Sequence, residues 1–235
     1  MSVLLITGAA RRVGEIVVRD FARRGWDVAF TCNQSVDNAK KLVNELSEDV
    51  KIKFYQGDFC DSVFAKGLIK QVKADFKQID VVINNASIFE RRSFTELTEK
   101  ELDANFSVHV KTPLILGQQY AKLIGTGKII NITDVMVGKN ATQFFPYILT
   151  KKSLSELTRM MAKNLAPKIQ VNEICPGMML DDINLENIPH SQDRVRRLPA
   201  GVNPSTDQLL RAINYLVRND CYGERLFVAG GEQII

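Results

Sequence analysis

Cysteine is scarce. Cys32, Cys60, Cys175 and Cys221 are the only four in 235 residues, and none has a Cys-x-x-Cys or Cys/His ligand spacing, so neither a disulfide framework nor a zinc site is expected. Histidine is scarcer still: His109 and His190 stand apart, core or surface roles are expected for both, and no metal is predicted. No apolar run approaches the ~18 residues of a membrane span. The first apolar stretch, residues 3–6, also lacks the basic flank and small-residue cleavage site of a secretion signal. The expectation is a cytoplasmic protein without a membrane partner. Internal repeats, low-complexity tracts and Pro/Gly/Ser-rich linkers are missing too, which predicts a single domain over residues 1–235.

The charge balance has little bias. A net charge of +4 is compatible with nucleic acid, but Arg11/Arg12, Arg23/Arg24, Lys40/Lys41, Arg91/Arg92 and Arg194/Arg196/Arg197 are interleaved with acids. That pattern is a mixed solvated surface, and no nucleic-acid partner is expected.

What the chain has is alternation. Short apolar runs at 3–7, 28–31, 52–55, 81–83, 129–132, 171–174 and 226–228 have the length and content of buried parallel strands. Between them, residues 13–24, 36–46, 63–76, 98–123, 153–165 and 206–218 carry helical periodicity. Strand–helix alternation predicts an α/β fold, a doubly wound Rossmann-type parallel sheet of about seven strands with helices on both faces. Ligand sites then lie just after the strands. Residues 178–204, with Met178, Met179, Asp181, Asp182 and Pro189, have no clear period and are expected to form a flap over a substrate.

After the first strand, Gly8-Ala9-Ala10-Arg11-Arg12-Val13-Gly14 leads directly into a helix. Gly8 suits a sharp turn, Gly14 lets helix and strand pack closely, and the helix start offers N–H groups to a pyrophosphate. At the end of the second strand an acid would hold the ribose 2′-hydroxyl of NAD. Asn33, Gln34 and Ser35 stand there instead, and the Arg11 guanidinium suits a 2′-phosphate, so NADPH is the expected cofactor. Asp58, after the third strand, is placed for the adenine amino group, and Asn85, after the fourth, for a cofactor ribose.

Tyr147 and Lys151 are four residues apart, which on a helix puts both on one face. An ammonium beside a phenol stabilises the phenolate and lowers the tyrosine pKa, giving a usable proton donor when hydride reaches a substrate.

Taken in order, the glycine-rich turn, Asn84-Asn85-Ala86, Asn105, Tyr147-x3-Lys151, Pro176-Gly177 and Gly230-Gly231 resemble the short-chain dehydrogenase/reductase family along essentially the whole chain. The resemblance implies that Tyr147 is the proton donor and that Lys151 binds the nicotinamide ribose and tunes Tyr147. It implies that Asn105 supports a water relay, that Pro176-Gly177 lies beside the nicotinamide, and that the assembly is a homotetramer through the helices around Asn105 and Lys151. Two departures are informative: Asp134 replaces the usual serine thirteen residues before the tyrosine, and Arg12 replaces the middle glycine of the turn. Both, with Asn85-Ala86-Ser87-Ile88-Phe89, resemble the pteridine reductase branch, including bacterial dihydromonapterin reductases. That resemblance implies a dihydropterin substrate: dihydromonapterin, dihydrobiopterin or dihydrofolate. Tyr147 and Asp134 would supply the proton, Phe89 would stack on the pterin ring, and Ser87 and Arg12 would meet its polar edge or the cofactor phosphates. A reductase of ketones or 3-oxoacyl thioesters, and a non-catalytic NADP-binding regulator, stay open as alternatives.

Overall fold

The computed structural model describes residues 1–48, 50–140, 143–179 and 191–235. Its centre is one seven-stranded sheet of β1 (Val3–Ile6), β2 (Asp27–Cys32), β3 (Ile52–Gln56), β4 (Val81–Asn84), β5 (Gly127–Ile132), β6 (Ile169–Pro176) and β7 (Arg225–Val228). The strands run in the order β3-β2-β1-β4-β5-β6-β7, and every neighbouring pair is parallel. Among the described residues the helices are α1 (Arg12–Arg23), α2 (Val36–Leu46), α3 (Ser62–Phe76), α4 (Glu99–Phe106), α5 (Thr112–Leu123), α6 (Phe145–Leu165), α7 (Ser191–Arg197) and α8 (Thr206–Arg218).

The apolar runs become strands because both faces of the sheet are covered. In β1, Leu4 and Ile6 join a core with Val18 and Phe21 of α1, Leu42 of α2 and Ile213 of α8. Val3 and Leu5 point the other way, into a core with Leu68 and Ile69 of α3, Leu116 and Tyr120 of α5 and Met161 of α6. Burying one such Leu or Ile is worth about 1.5–3 kcal/mol, so a polar residue is costly at every position of this strand.

Helices α2 and α8 have the bounds the periodicity predicts. The stretch 98–123 differs. Its α-helical ladder gives way to a π-helical segment, Ser107–Lys111, before α5 begins. Pro113 lacks the N–H that would bond the carbonyl four residues earlier, and its ring crowds that carbonyl; the wider π turn relieves the conflict. Helix α6 starts at Phe145, earlier than the predicted 153, with Pro146 in the first turn where its missing N–H costs nothing. The expected irregular flap contains α7, and the remainder of it at 180–190, with Asp181, Asp182, Pro189 and His190, lies outside the described residues.

Strand β1 is flanked by β2 on one side and β4 on the other. The chain therefore winds away from β1 in opposite directions, and this reversal of strand order opens a crevice at the carboxyl edge.

Candidate active site

The glycine-rich turn occupies that crevice. Gly8 has φ of +64°, and a Cβ there would stand 2.7 Å from the Cα of Ala86. At Gly14 a Cβ would stand 2.5 Å from the Cα of Ala9, so only glycine lets α1 pack this close to the turn. The Thr31 hydroxyl accepts from the Gly8 N–H at 2.9 Å, and the Thr7 hydroxyl accepts from the N–H groups of Asn85 and Ala86, both at 2.9 Å. These two threonines, which motif reading did not single out, fix the turn: Thr31 ties it to β2, and Thr7 ties it to the loop after β4.

Side chains cap the starts of α3, α4 and α8, but not those of α1, α2 and α6. Asp61 caps α3, and Thr98–Glu101 and Ser205–Gln208 form capping boxes on α4 and α8. At α1 the N-cap is Arg11, which makes no side-chain cap bond. Its first-turn amides stay available to an anion, and the helix dipole favours negative charge there. The cradle thus fits a dinucleotide pyrophosphate. Arg12 stands where the middle glycine usually does and takes glycine's conformation, with φ of +58°.

Arg12, Val13 and Asn85 line a cleft of about 680 Å³ over the carboxyl edge, as do Ser87, Phe89, Asp134, Tyr147, Lys151, Pro176 and Gly177. Asn85 has a second task, because its amide nitrogen donates to the carbonyls of Thr7 and Gly8 at 2.9 and 3.0 Å. Its donor atoms brace the turn while the residue stays in the cleft wall. Arg11, Asn33, Gln34 and Asp58 are exposed beyond the cleft, with Ser35 half-buried at the start of α2 and Ala86 half-buried beside Gly8. The Asp58 carboxylate accepts from the Cys60 N–H at 2.9 Å. Asn105 is also outside the cleft wall. It is buried at the end of α4, donating to the Glu101 carbonyl at 2.9 Å, while its Oδ1 has no partner among the described residues.

At the reactive end, the Tyr147 hydroxyl donates to Asp134 Oδ2 at 2.6 Å. The Asp134 Oδ1 accepts from the Met136 N–H at 2.8 Å, which fixes the carboxyl at the mouth of β5. Lys151 donates to the Ile132 carbonyl at 2.7 Å, leaving two ammonium protons, and its Nζ lies 5.6 Å from the Tyr147 ring centre. The expectation of a tyrosine with lowered pKa is overturned here. Burial, and then the Asp134 carboxylate, push the phenol well above its ordinary range. Burial raises Asp134 as well, outweighing its hydrogen bonds and Lys151. It also lowers Lys151 to about 8, despite the opposing pull of Asp134.

One wall is aromatic. Phe89 is 46% exposed, which removes it from the core, and it stacks on Phe144 with centroids 4.5 Å apart and 12° between planes. Its edge contact to Tyr147 spans 4.8 Å. Phe144 escaped the sequence reading because it carries no motif; Pro146 two residues on was its only local signal. Across the cleft, Met178 and Met179 line the wall, and Arg194 of α7 donates to Glu232 through Nε at 3.0 Å and through its NH2 group. Arg194 also bonds Asn203 at 3.0 Å, and Lys139 bonds the Glu232 carbonyl at 2.6 Å. Nothing in the sequence linked residues so far apart.

Comparison with known proteins matches this geometry. The family model for short chain dehydrogenase matches residues 2–191. An uncharacterized oxidoreductase of Methylorubrum extorquens is 28% identical over 239 residues, covering 97% of this chain and 96% of that protein. The 3-oxoacyl-[acyl-carrier-protein] reductase FabG of Staphylococcus epidermidis is 29% identical over 190 residues, 76% of this chain and 75% of the other. Among solved structures, FolM alternative dihydrofolate reductase 1 from Brucella suis, in complex with NADP, superposes with a TM-score of 0.90 at 33% identity, covering 100% of this chain and 96% of that one. With its parallel sheet, glycine-braced turn and Tyr147/Lys151 pair, the chain belongs to the short-chain dehydrogenase family of oxidoreductases.

Proposed function

We propose that this oxidoreductase reduces a dihydropterin to its tetrahydro form with NADPH. The observation that carries the reading is the Asp134 carboxyl bonded to the Tyr147 phenol at 2.6 Å. A ketone or thioester carbonyl needs only a hydrogen-bond donor to its oxygen, which a short hydroxyl at this position supplies without a carboxyl. A ring imine nitrogen takes up a whole proton, and a carboxyl of raised pKa can replace the one that the phenol gives away.

The cradle supports the cofactor. Gly8, Gly14 and the uncapped start of α1 suit the pyrophosphate, Arg11 and the neutral Asn33-Gln34 pair suit a 2′-phosphate, and two Lys151 protons are free for the nicotinamide ribose. When bound, NADPH supplies hydride to a ring carbon of the substrate. At rest Asp134 accepts from the phenol; on taking up a proton from solvent it donates to the phenolic oxygen and turns the Tyr147 hydroxyl toward the adjacent ring nitrogen. The proton then passes from Asp134 to Tyr147 and from Tyr147 to that nitrogen. Phe89, exposed and edge-on to Tyr147, offers a face for a flat ring, a contact worth about 1 kcal/mol. The 33% identity to the Brucella dihydrofolate reductase adds support.

A 3-oxoacyl thioester reductase is the second reading, favoured by the 29% identity to the Staphylococcus enzyme. The deciding experiment follows NADPH oxidation with dihydromonapterin, dihydrobiopterin, dihydrofolate, a ketone and a 3-oxoacyl thioester. Turnover of a dihydropterin above the carbonyl substrates is expected. Preference for the thioester replaces this reading with the second, and NADPH binding without oxidation of any substrate replaces both with a regulator.

A further inference from the structure

His109 is buried, with 1% of its surface exposed, and takes no part in the proton path above. It sits in the middle of the π-helical segment Ser107–Lys111, and such wide turns inside helices are frequent at functional sites. Both ring nitrogens are engaged. Nε2 lies 3.0 Å from the Ile88 nitrogen and 3.1 Å from the Ser87 hydroxyl, and Nδ1 lies 2.8 Å from the Thr150 hydroxyl.

These partners determine the tautomer. A backbone N–H can only donate, so Nε2 must carry a lone pair toward Ile88. The Thr150 hydroxyl spends its proton on the carbonyl of Pro146 or Tyr147, at 2.9 and 3.0 Å, so Nδ1 carries the hydrogen and donates to Thr150. Protonating Nε2 would set two N–H groups against each other. Burial, and then the charge of Lys151, also hold the ring well below the ordinary histidine range.

We propose that His109, as a neutral Nδ1–H imidazole, is a positioning residue that ties the loop carrying Ser87 and Phe89 to the helix carrying Tyr147. Its ring stands edge-on to Tyr147 at 5.6 Å and 85°, while Phe89 stands edge-on to Tyr147 at 4.8 Å and 82°. Tyr147 thus makes an edge contact with each ring, and the imidazole bonds the chain next to one of them. Without that link the Ile88 N–H loses its partner, and the aromatic wall shifts against the proton donor. A displacement of ~1 Å is enough to cost roughly 10²-fold in rate. The inference rests on the reductase chemistry of the family and holds for either substrate class.

The test compares His109→Phe, His109→Gln and Thr150→Val. Phenylalanine keeps the ring against Tyr147 and removes both hydrogen bonds; glutamine keeps an acceptor for Ile88. In His109→Phe, kcat is expected to fall roughly 10–100-fold with NADPH affinity within about twofold of wild type. His109→Gln should recover most of that loss, and Thr150→Val should show a milder fall. Unchanged kcat in His109→Phe, or a loss in proportion to the folded fraction with no rescue by glutamine, overturns the proposal. If His109→Phe does not fold, Thr150→Val and the imidazole spectrum decide. The chain has two histidines, so nitrogen-15 NMR with His109→Gln as the assignment control reads the ring directly. A neutral Nδ1–H ring from about pH 5 to 8 is expected, and an Nε2–H or cationic ring overturns the assignment. Wild-type turnover of the thioester alone sinks the pterin reading and leaves His109 to be tested on that substrate.

Discussion

The Tyr147 hydroxyl donates to the Asp134 carboxyl across 2.6 Å, while the Lys151 ammonium is directed to the carbonyl of Ile132. Burial first, and then this negative partner, raise the phenol's pKa. Tyr147 is therefore a neutral phenol throughout the physiological range, and what matters is where its proton points and how it is replaced.

Replacing that carboxyl tests the arrangement. Asp134→Ser restores the residue more usual in the family and removes both the charge and the second acceptor oxygen. With dihydropterin, kcat is expected to fall at least ~10-fold, and Tyr147→Phe to lower it roughly 10²-fold or more, with NADPH affinity retained in both. Full dihydropterin turnover in Asp134→Ser means that the carboxyl has no part in the proton path.

Lys151 sets a pH limit. Its pKa of about 8 means that the ammonium is intact below that value and neutral above it. The rate parameter that reports the free enzyme, kcat/KM, should decline as pH rises through about 8. Lys151→Met should abolish that limb and lower activity at every pH. A limb that survives in Lys151→Met belongs to another group.

Cofactor preference follows from the neutral end of β2. With Asn33 and Gln34 exposed there and Arg11 exposed in the turn, NADPH should exceed NADH in kcat/KM. Arg11→Ala should reduce that preference roughly tenfold, the scale of one charge-assisted hydrogen bond. Equal values for the two cofactors in wild type refute the assignment.

Arg12 carries a φ of +58°. An L-residue in this region costs about 1–2 kcal/mol, and glycine escapes that cost but loses about 0.5–1 kcal/mol more conformational freedom on folding. Arg12→Gly is therefore expected to be close to neutral in thermal unfolding while weakening NADPH or substrate binding through loss of the guanidinium from the cleft. Arg12→Val carries the same left-handed cost plus the crowding of a branched Cβ, and should be less stable than both wild type and Arg12→Gly. A valine variant as stable as wild type would show that the turn relaxes out of the left-handed region.

Strand identity was set by the sequence itself. A run such as Val3 to Ile6 can satisfy both faces of a covered parallel sheet, and the bounds of α2 and α8 follow from apolar periods that end in polar residues. The glycine turn was legible for a local reason at Gly14, which answers to Ala9 in its own turn, whereas Gly8 meets Ala86 from the loop after β4. Tertiary structure alone decided the electrostatics. Spacing suggested a Tyr147 tuned by Lys151, yet the fold buries the phenol and brings in Asp134 from the end of β5. His109 had no recognisable spacing because its partners, Ile88 and Thr150, come from a different loop and a different helix. Periodicity records which side of an element faces the core. Hydrogen-bond partners and desolvation depend on elements distant in the chain, and these decide which groups hold protons.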